Sequence, residues 1–248
     1  MAHKPEATEA KASESWQYNL EFTEISSEKR LALVDCHTHS YFSGDSSTLI
    51  EEYIDEFEKS GLTHIAITDH QSIEAYPLLR EKLGPRIICG QEQRIKEGEI
   101  IGLFINKRIP PGLSLAEAAA RIREQGGLVY LCHPLDPKRV SLDMEALIYG
   151  LERQLFDMIE FCNSKSTSLN MAVQKLASQY EIPLMGGSDA HVPDAIGSSG
   201  TIIPWFESSE TFKKSSKDAV PYGRYYDPPR IWQNRSVPAA SQLRPNTL

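Results

Sequence analysis

Asp35-Cys36-His37-Thr38-His39 sets two imidazoles two residues apart at the end of the apolar run Leu31-Ala32-Leu33-Val34. Side chains alternate along an extended strand, so Asp35, His37 and His39 share one face and two ring nitrogens can meet one metal ion. The same arrangement of an apolar run ending in a polar group recurs at Thr68-Asp69-His70, Gln91-Glu92, Cys132-His133-Pro134, Glu160-Phe161-Cys162-Asn163 and Ser188-Asp189-Ala190-His191. Mixed imidazole and carboxylate donors suit Zn, Mn or Fe better than Mg or Ca. Such ions activate water for hydrolysis.

The elements that must position these groups are legible between Leu31 and Pro204. Strand-like runs at Leu31 to Asp35, Ile65 to Thr68, Ile87 to Cys89, Ile100 to Ile105, Leu128 to Cys132, Met158 to Phe161 and Leu184 to Met185 alternate with helix-like stretches, and Thr201 to Ile203 adds a last piece. That alternation predicts βα units closing a largely parallel sheet. Glu97-Gly98-Glu99 reads as a hairpin turn, one local departure from the alternation. Thr48-Leu49-Ile50-Glu51 and Ser114-Leu115-Ala116-Glu117 have capping-box spacing, with stops at Gly61 and Gly126-Gly127. Ile73, Tyr76 and Leu79 mark a short helix, and Leu169, Ala172, Val173, Leu176, Ala177 and Tyr180 another.

In a βα barrel the strand C-termini converge on one face, so residues distant in sequence can meet there. Five of the seven histidines fall at such ends. The other two do not: His3 lies in a polar segment and His64 precedes its strand, which predicts a structural or solvent role for His64.

A chain of 248 residues can bury one substantial core. With 26 Lys and Arg against 34 Asp and Glu it lacks the basic excess that extended nucleic-acid binding needs. Cys36, Cys89, Cys132 and Cys162 form no CxxC pair and read as buried free thiols of a reducing cytoplasm. No run approaches the roughly 18 apolar residues of a membrane span, and residues 1–30 lack a signal-peptide core. The expected organisation is a polar N-terminal segment at 1–30, a barrel domain at 31–206, and a C-terminal extension at 207–248 that holds a short helix over Glu207 to Asp218 and is then irregular, because Pro221, Pro228, Pro229, Pro238 and Pro245 oppose regular structure.

Taken in order, Asp35-Cys36-His37-Thr38-His39, Thr68-Asp69-His70, Glu92, Cys132-His133-Pro134 and Gly187-Ser188-Asp189-Ala190-His191 resemble the PHP (polymerase and histidinol phosphatase) family of metal-dependent phosphoesterases. The resemblance implies a distorted (β/α)7 TIM-like barrel carrying two or three divalent ions, Mn, Zn or Fe, at the strand C-termini. By motif position His37, His39 and Asp189 would hold the first ion, Glu92 would bridge to a second held by His133, and Asp45, His70 and His191 would hold a third. Where the family often has a further His after the sixth strand, this chain offers Glu160 and Asn163. Asp35 and Asp69 are expected to orient ligand imidazoles through hydrogen bonds.

The chemistry implied is hydrolysis of a small phosphorylated substrate by a metal-bridging hydroxide. Asp189 or His191 would pass a proton to the leaving group, and Arg94, on the Glu92 face of its strand, would clamp phosphate. Arg139 and Lys165 are the alternative phosphate-binding cations. The resemblance admits nucleotide, short oligonucleotide, histidinol phosphate and sugar phosphate substrates. Two other readings compete: a metal-binding or regulatory module without turnover, and an amidohydrolase-type C–N hydrolase, whose carbamylated Lys finds no counterpart at the end of a middle strand here.

Overall fold

Short, β-branched apolar runs pair side by side wherever the polar ligand motifs stop them, and the result is a ten-stranded sheet curled into a nearly closed barrel. The computed structural model describes residues 15–16, 30–166, 171–232 and 235–237, with side chains described over 30–166 and 171–230. The chain order is β1 (Ser15–Trp16), β2 (Leu31–Thr38), α1 (Ile50–Ser60), β3 (His64–Ile67), α2 (Ala75–Leu83), β4 (Ile87–Ile95), β5 (Gly98–Leu103), α3 (Leu115–Arg123) and β6 (Leu128–Leu131). It continues with α4 (Met144–Glu152), β7 (Met158–Asn163), α5 (Met171–Tyr180), β8 (Leu184–Gly187), β9 (Ser199–Pro204), α6 (Ser209–Ser215), β10 (Val220–Arg224), β11 (Arg230–Trp232) and β12 (Arg235–Val237).

Spatially the large sheet runs β1-β10-β9-β2-β3-β4-β5-β6-β7-β8. Strands β2, β3 and β4 pair in parallel, as do β6, β7 and β8. β5 runs antiparallel to both of its neighbours, as the hairpin at Gly98 requires, and β9 runs antiparallel to β2. The barrel is therefore a distorted TIM-like barrel. Its seam lies between β2 and β8, where the Asp189 N–H donates to His37 O at 2.7 Å and the His39 N–H donates to Ala190 O at 3.0 Å. Glycine permits this approach: a Cβ on Gly187 would stand 2.4 Å from His37 Cβ.

Ala32, Val34, Cys36, Ala66, Ile101, Tyr130, Cys132, Met158 and Met185 fill the barrel interior, while α3, α4 and α5 bury Ala118, Ile122, Leu147, Leu151 and Val173 against its outside. All four cysteines are buried free thiols. α3 begins with the expected box: Glu117 accepts the Ser114 N–H at 2.8 Å and Ser114 Oγ accepts the Glu117 N–H at 3.4 Å. α1 begins one residue later than its predicted cap. Glu52, not Glu51, accepts a backbone N–H there, that of Leu49 at 2.9 Å. Helix α4 was not anticipated by the apolar spacing, and Leu169 lies outside the described residues. Among the described residues no helix is long and apolar enough to cross a membrane.

The short helix expected over Glu207 to Asp218 is α6, but the expectation that the chain beyond it is irregular is corrected. α6 inserts Phe212, fully buried, among Phe104 and Phe206 at ring distances of 5.2 and 4.7 Å. β10 then pairs with β9 from Val220 to Gly223 and carries Pro221 within it, while β1 pairs with its other edge. Proline is tolerated where a strand's own N–H is not needed by the ladder. The polar segment before β1, including His3, and the tail holding Pro238 and Pro245 lie outside the described residues.

Candidate metal centre

His37 and His39 leave β2 pointing into the barrel mouth, both fully buried. Each is turned by a partner on its Nδ1. His37 Nδ1 lies 3.0 Å from Glu160 Oε1, and His39 Nδ1 lies 2.9 Å from Ser43 Oγ. Ser43 in turn donates to Asp69 Oδ1 at 2.7 Å and accepts the His70 N–H at 3.0 Å. In both imidazoles Nε2 is left as the inward-facing nitrogen, the arrangement by which outer hydrogen bonds fix a ligand's tautomer.

Glu92, on β4, stands between them. Its Oε2 lies 3.3 Å from His37 Nε2, 3.3 Å from His39 Nε2 and 3.1 Å from His70 Nδ1, while its Oε1 lies 2.8 Å from His133 Nε2. One carboxylate thus touches four imidazoles with two oxygens. Asp189 faces it from the end of β8, with Oδ1 3.4 Å from His39 Nε2, 3.7 Å from His37 Nε2 and 3.3 Å from His191 Nδ1. Asp45 completes the far side, with Oδ2 3.1 Å from His191 Nε2 and Oδ1 3.6 Å from His70 Nε2. His133 and Asp189 both take positive φ, 30° and 53°, a strained conformation for a side-chain-bearing residue that costs on the order of 1–3 kcal/mol each.

The donor set fits divalent metal. Groups of three ligand atoms within 4.8 Å of one another occur at His39/His70/His191, His37/His39/Glu92, His37/His133/Asp189 and Glu92/Cys132/His133. Among the described residues His39 Nε2, His133 Nδ1 and Asp45 Oδ1 are buried without a hydrogen-bond partner, an arrangement that burial makes costly unless something else fills them.

Charge is balanced within the cluster. Burial disfavours the charged form of His37, but Asp189, Glu160 and Glu92 outweigh it and push its pKa well above the ordinary value. Burial likewise opposes ionisation of Asp189, yet Arg139 and Lys165 hold its carboxyl well below the usual range. His191 is pushed down, by burial first and by the neighbouring Lys165 ammonium, against the pull of Asp45.

The structure brings together every predicted ligand: His37, His39, Asp45, His70, Glu92, His133, Asp189 and His191. Arg139 and Lys165 lie beside them, with Arg139 Nη2 3.1 Å from Asp189 Oδ2 and Lys165 Nζ 2.9 Å from Asp189 Oδ1. Arg94 stays at the rim, half-exposed, 3.5 Å from Glu99. Asn163 donates to Glu160 Oε2 at 3.0 Å and to Asp189 Oδ2 at 3.3 Å. Asp69 acts on His39 through Ser43, as above.

Two expectations are corrected. Asp35 does not orient an imidazole: its oxygens accept the backbone N–H groups of His37, Ser188 and Gly197 at 3.2, 2.8 and 3.0 Å, tying β2 to the β8 end because no ring reaches it. His64 does not precede its strand but opens β3, buried against Trp205 and Phe206 at ring distances of 4.9 and 4.4 Å.

Glu160, offered by the sequence in place of a family His, and Arg230, which it did not single out, also enter the site. Glu160 spends both oxygens on protein donors, the His37 ring and the His133 N–H at 2.6 Å; a lone acid inside the apolar run of β7 was its signal. Arg230 reaches in from the C-terminal extension, its Nε donating to Asp45 O at 2.8 Å. No local pattern marks it.

Against known proteins, the family model described as PHP domain matches residues 35–212. Two uncharacterised proteins of Methanocaldococcus jannaschii are similar, one 37% identical over 116 residues (42% of this chain, 68% of the relative) and one 35% identical over 168 (64% and 65%). The chain thus spans about two thirds of the length of each. A probable phosphatase of Syntrophotalea carbinolica is 26% identical over 204 residues, 68% of this chain and 84% of that protein. Among solved structures, a two-domain protein of Bacteroides vulgatus containing a predicted PHP-like metal-dependent phosphoesterase superposes with a TM-score of 0.66 at 19% identity, covering 79% of this chain and 66% of that one.

Proposed function

The chain belongs to the PHP domain family, and from that premise we propose that it is a divalent-metal-dependent phosphoesterase acting on a small phosphorylated substrate. The observation that carries this reading is the position of Glu92, whose two oxygens reach His37, His39 and His70 on one side and His133 on the other. A carboxylate so placed can be shared by neighbouring ions. His37, His39 and Asp189 would hold the first of them, His133 the second, and Asp45, His70 and His191 a third, with Mn, Zn and Fe the ions these donors suit. Ions bound there would lower the pKa of a coordinated water and neutralise phosphoryl oxygens.

The remaining work falls to side chains. Asp189 and His191, 3.3 Å apart, would relay a proton from the attacking water to the leaving alkoxide. Lys165, buried, and Arg139, partly buried, would offer cationic donors to phosphoryl oxygens, and Arg94 a third at the rim. Asn163 and Glu160 keep Asp189, His37 and His133 aligned.

The test is release of phosphate from a panel of mononucleotides, oligonucleotides, sugar phosphates and amino-alcohol phosphates, run separately with Mn, Zn and Fe. His37→Ala and Glu92→Ala, each verified as folded by circular dichroism, are expected to abolish metal-dependent turnover. Unchanged turnover in either variant would sink the reading. A folded protein that retains fewer than two ions per chain and hydrolyses nothing in the panel would instead indicate a module without catalysis.

A further inference from the structure

Arg139, Lys165 and Arg230 are three of the five cations, with Arg94 and Lys138, that line the cavity of about 370 Å3 over Glu92, Asp189 and His191. Lys165 and Arg230 are only 4% and 9% exposed. Among the described residues Arg139 Nε is buried without a hydrogen-bond partner, while its Nη2 is paired with Asp189 Oδ2 at 3.1 Å. A buried N–H left open is costly unless an acceptor fills it. Arg230 is delivered by a segment pinned to the barrel mouth at separate points. Tyr226 donates its N–H to Ser164 O at 2.7 Å and its hydroxyl to Asp194, and Arg230 Nε donates to Asp45 O at 2.8 Å. Among the described residues Arg230 Nη1 and Nη2 meet carboxylates at 3.6 and 3.9 Å, those of Asp227 and Asp45, distances too long for full hydrogen bonds.

A second cavity, of about 590 Å3, adjoins the first and shares His133, Lys138 and Lys165 with it. Its walls are mixed, with Leu135, Phe161 and Val173 among Asn163, Asp136 and Ser166. The first compartment is lined by charged groups of both signs, its five cations against four carboxylates, and the second is amphipathic.

Resting on the phosphoesterase reading, we infer that Arg230, together with Arg139 and Lys165, receives the doubly charged phosphoryl end of a phosphomonoester whose alcohol occupies the adjoining compartment. Guanidinium and ammonium donors gain most from oxygens that carry full charge. In a diester one of those oxygens is substituted, so a cation of the receptor would face a neutral ester oxygen and an extra organic arm. Arg230 is the specificity-determining residue in this scheme, since it joins the site from outside the βα barrel.

The experiment compares p-nitrophenyl phosphate with bis(p-nitrophenyl) phosphate, using the full metal-loaded chain and its Arg230→Met and Arg230→Lys variants. The native protein is expected to favour the monoester in kcat/KM by more than about tenfold. A lost hydrogen bond to a charged group corresponds to about a tenfold to hundredfold change. Arg230→Met should therefore raise KM for the monoester at least about tenfold while moving the diester less than about threefold, with partial rescue by Arg230→Lys. A native protein that turns over the diester at least as well overturns the inference, as does an equal loss on both esters in Arg230→Met, while either result leaves phosphoester hydrolysis standing. If neither ester is hydrolysed, the phosphoesterase reading is what fails, and calorimetric binding of inorganic phosphate decides the receptor: affinity lost in Arg230→Met supports it, unchanged affinity overturns it. Should Arg230→Met not fold, Lys165→Met is read by the same criteria.

Discussion

Glu160 holds His37 and His133 at once, accepting from the ring of one and the backbone N–H of the other at 3.0 and 2.6 Å. Replacing it by Gln puts an amide N–H where one of these donors, or Asn163, now points. Loss of such an orienting carboxylate typically weakens metal binding about 10- to 100-fold. Glu160→Gln is expected to stay folded and lose bound metal in that range, read as ions per chain after equilibrium dialysis against a graded chelator. Retention equal to the native protein would show that His37 needs no such anchor.

Gly187→Ala tests the seam. The added methyl would stand 2.4 Å from His37 Cβ and 2.9 Å from its backbone nitrogen, so β2 and β8 must part. Overpacking of this kind costs about 1–3 kcal/mol. Thermal unfolding should fall by roughly 2–4 °C for each kcal/mol, and metal affinity should drop with it because His37 and Asp189 move apart.

Phe212→Ala tests whether the C-terminal extension belongs to the core. Phe212 is fully buried among Phe104 and Phe206, and truncations of this type cost about 3–5 kcal/mol. Urea unfolding should show that loss as a lower midpoint. A change within about 0.5 kcal/mol, the range of ordinary surface substitutions, would mean that α6 is dispensable.

His64 sets part of the acid limit of stability. Burial, with Arg30 and Arg86 nearby, pushes its pKa down to about 4, below the ordinary value near 6.5 that it regains on unfolding. The unfolded chain therefore binds the extra proton first. The contribution of His64 is fully present above about pH 6.5 and is lost as pH falls toward 4. At about 1.4 kcal/mol per unit its upper bound is roughly 3 kcal/mol. His64→Phe should flatten the pH dependence of stability between pH 6.5 and 4; an unchanged slope would place the acid sensitivity elsewhere.

Much of the centre could be read from strand ends alone. A short apolar run that stops at His37, His70, His133 or Asp189 declares both the strand and the direction of its last side chain. Long-range features left no such trace. Arg230 meets Asp45 across 185 positions, and nothing adjacent to it in sequence distinguishes it from a solvated charge. Helix α4 was hidden because Met144, Ile148 and Tyr149 are exposed, which blurs its apolar period. β10 was hidden by Pro221 and Gly223, residues that discourage a strand until β9 supplies the partner. Asp35 was visible as a buried acid, but whether it served rings or backbone depended on how β8 approached β2.

The backbone bonds that join Asp189 to His37 and Ala190 to His39 stitch the first barrel strand to the end of the last parallel one. During synthesis His37 must wait for some 150 further residues before its partners exist, and contacts of such sequence separation are the slow ones in folding. An ion that recognises only the joined ligands would bind the folded chain and not the nascent one, raising stability in proportion to the logarithm of its free concentration. Metal supply would then govern how long a newly made chain keeps its barrel shut, independently of any turnover.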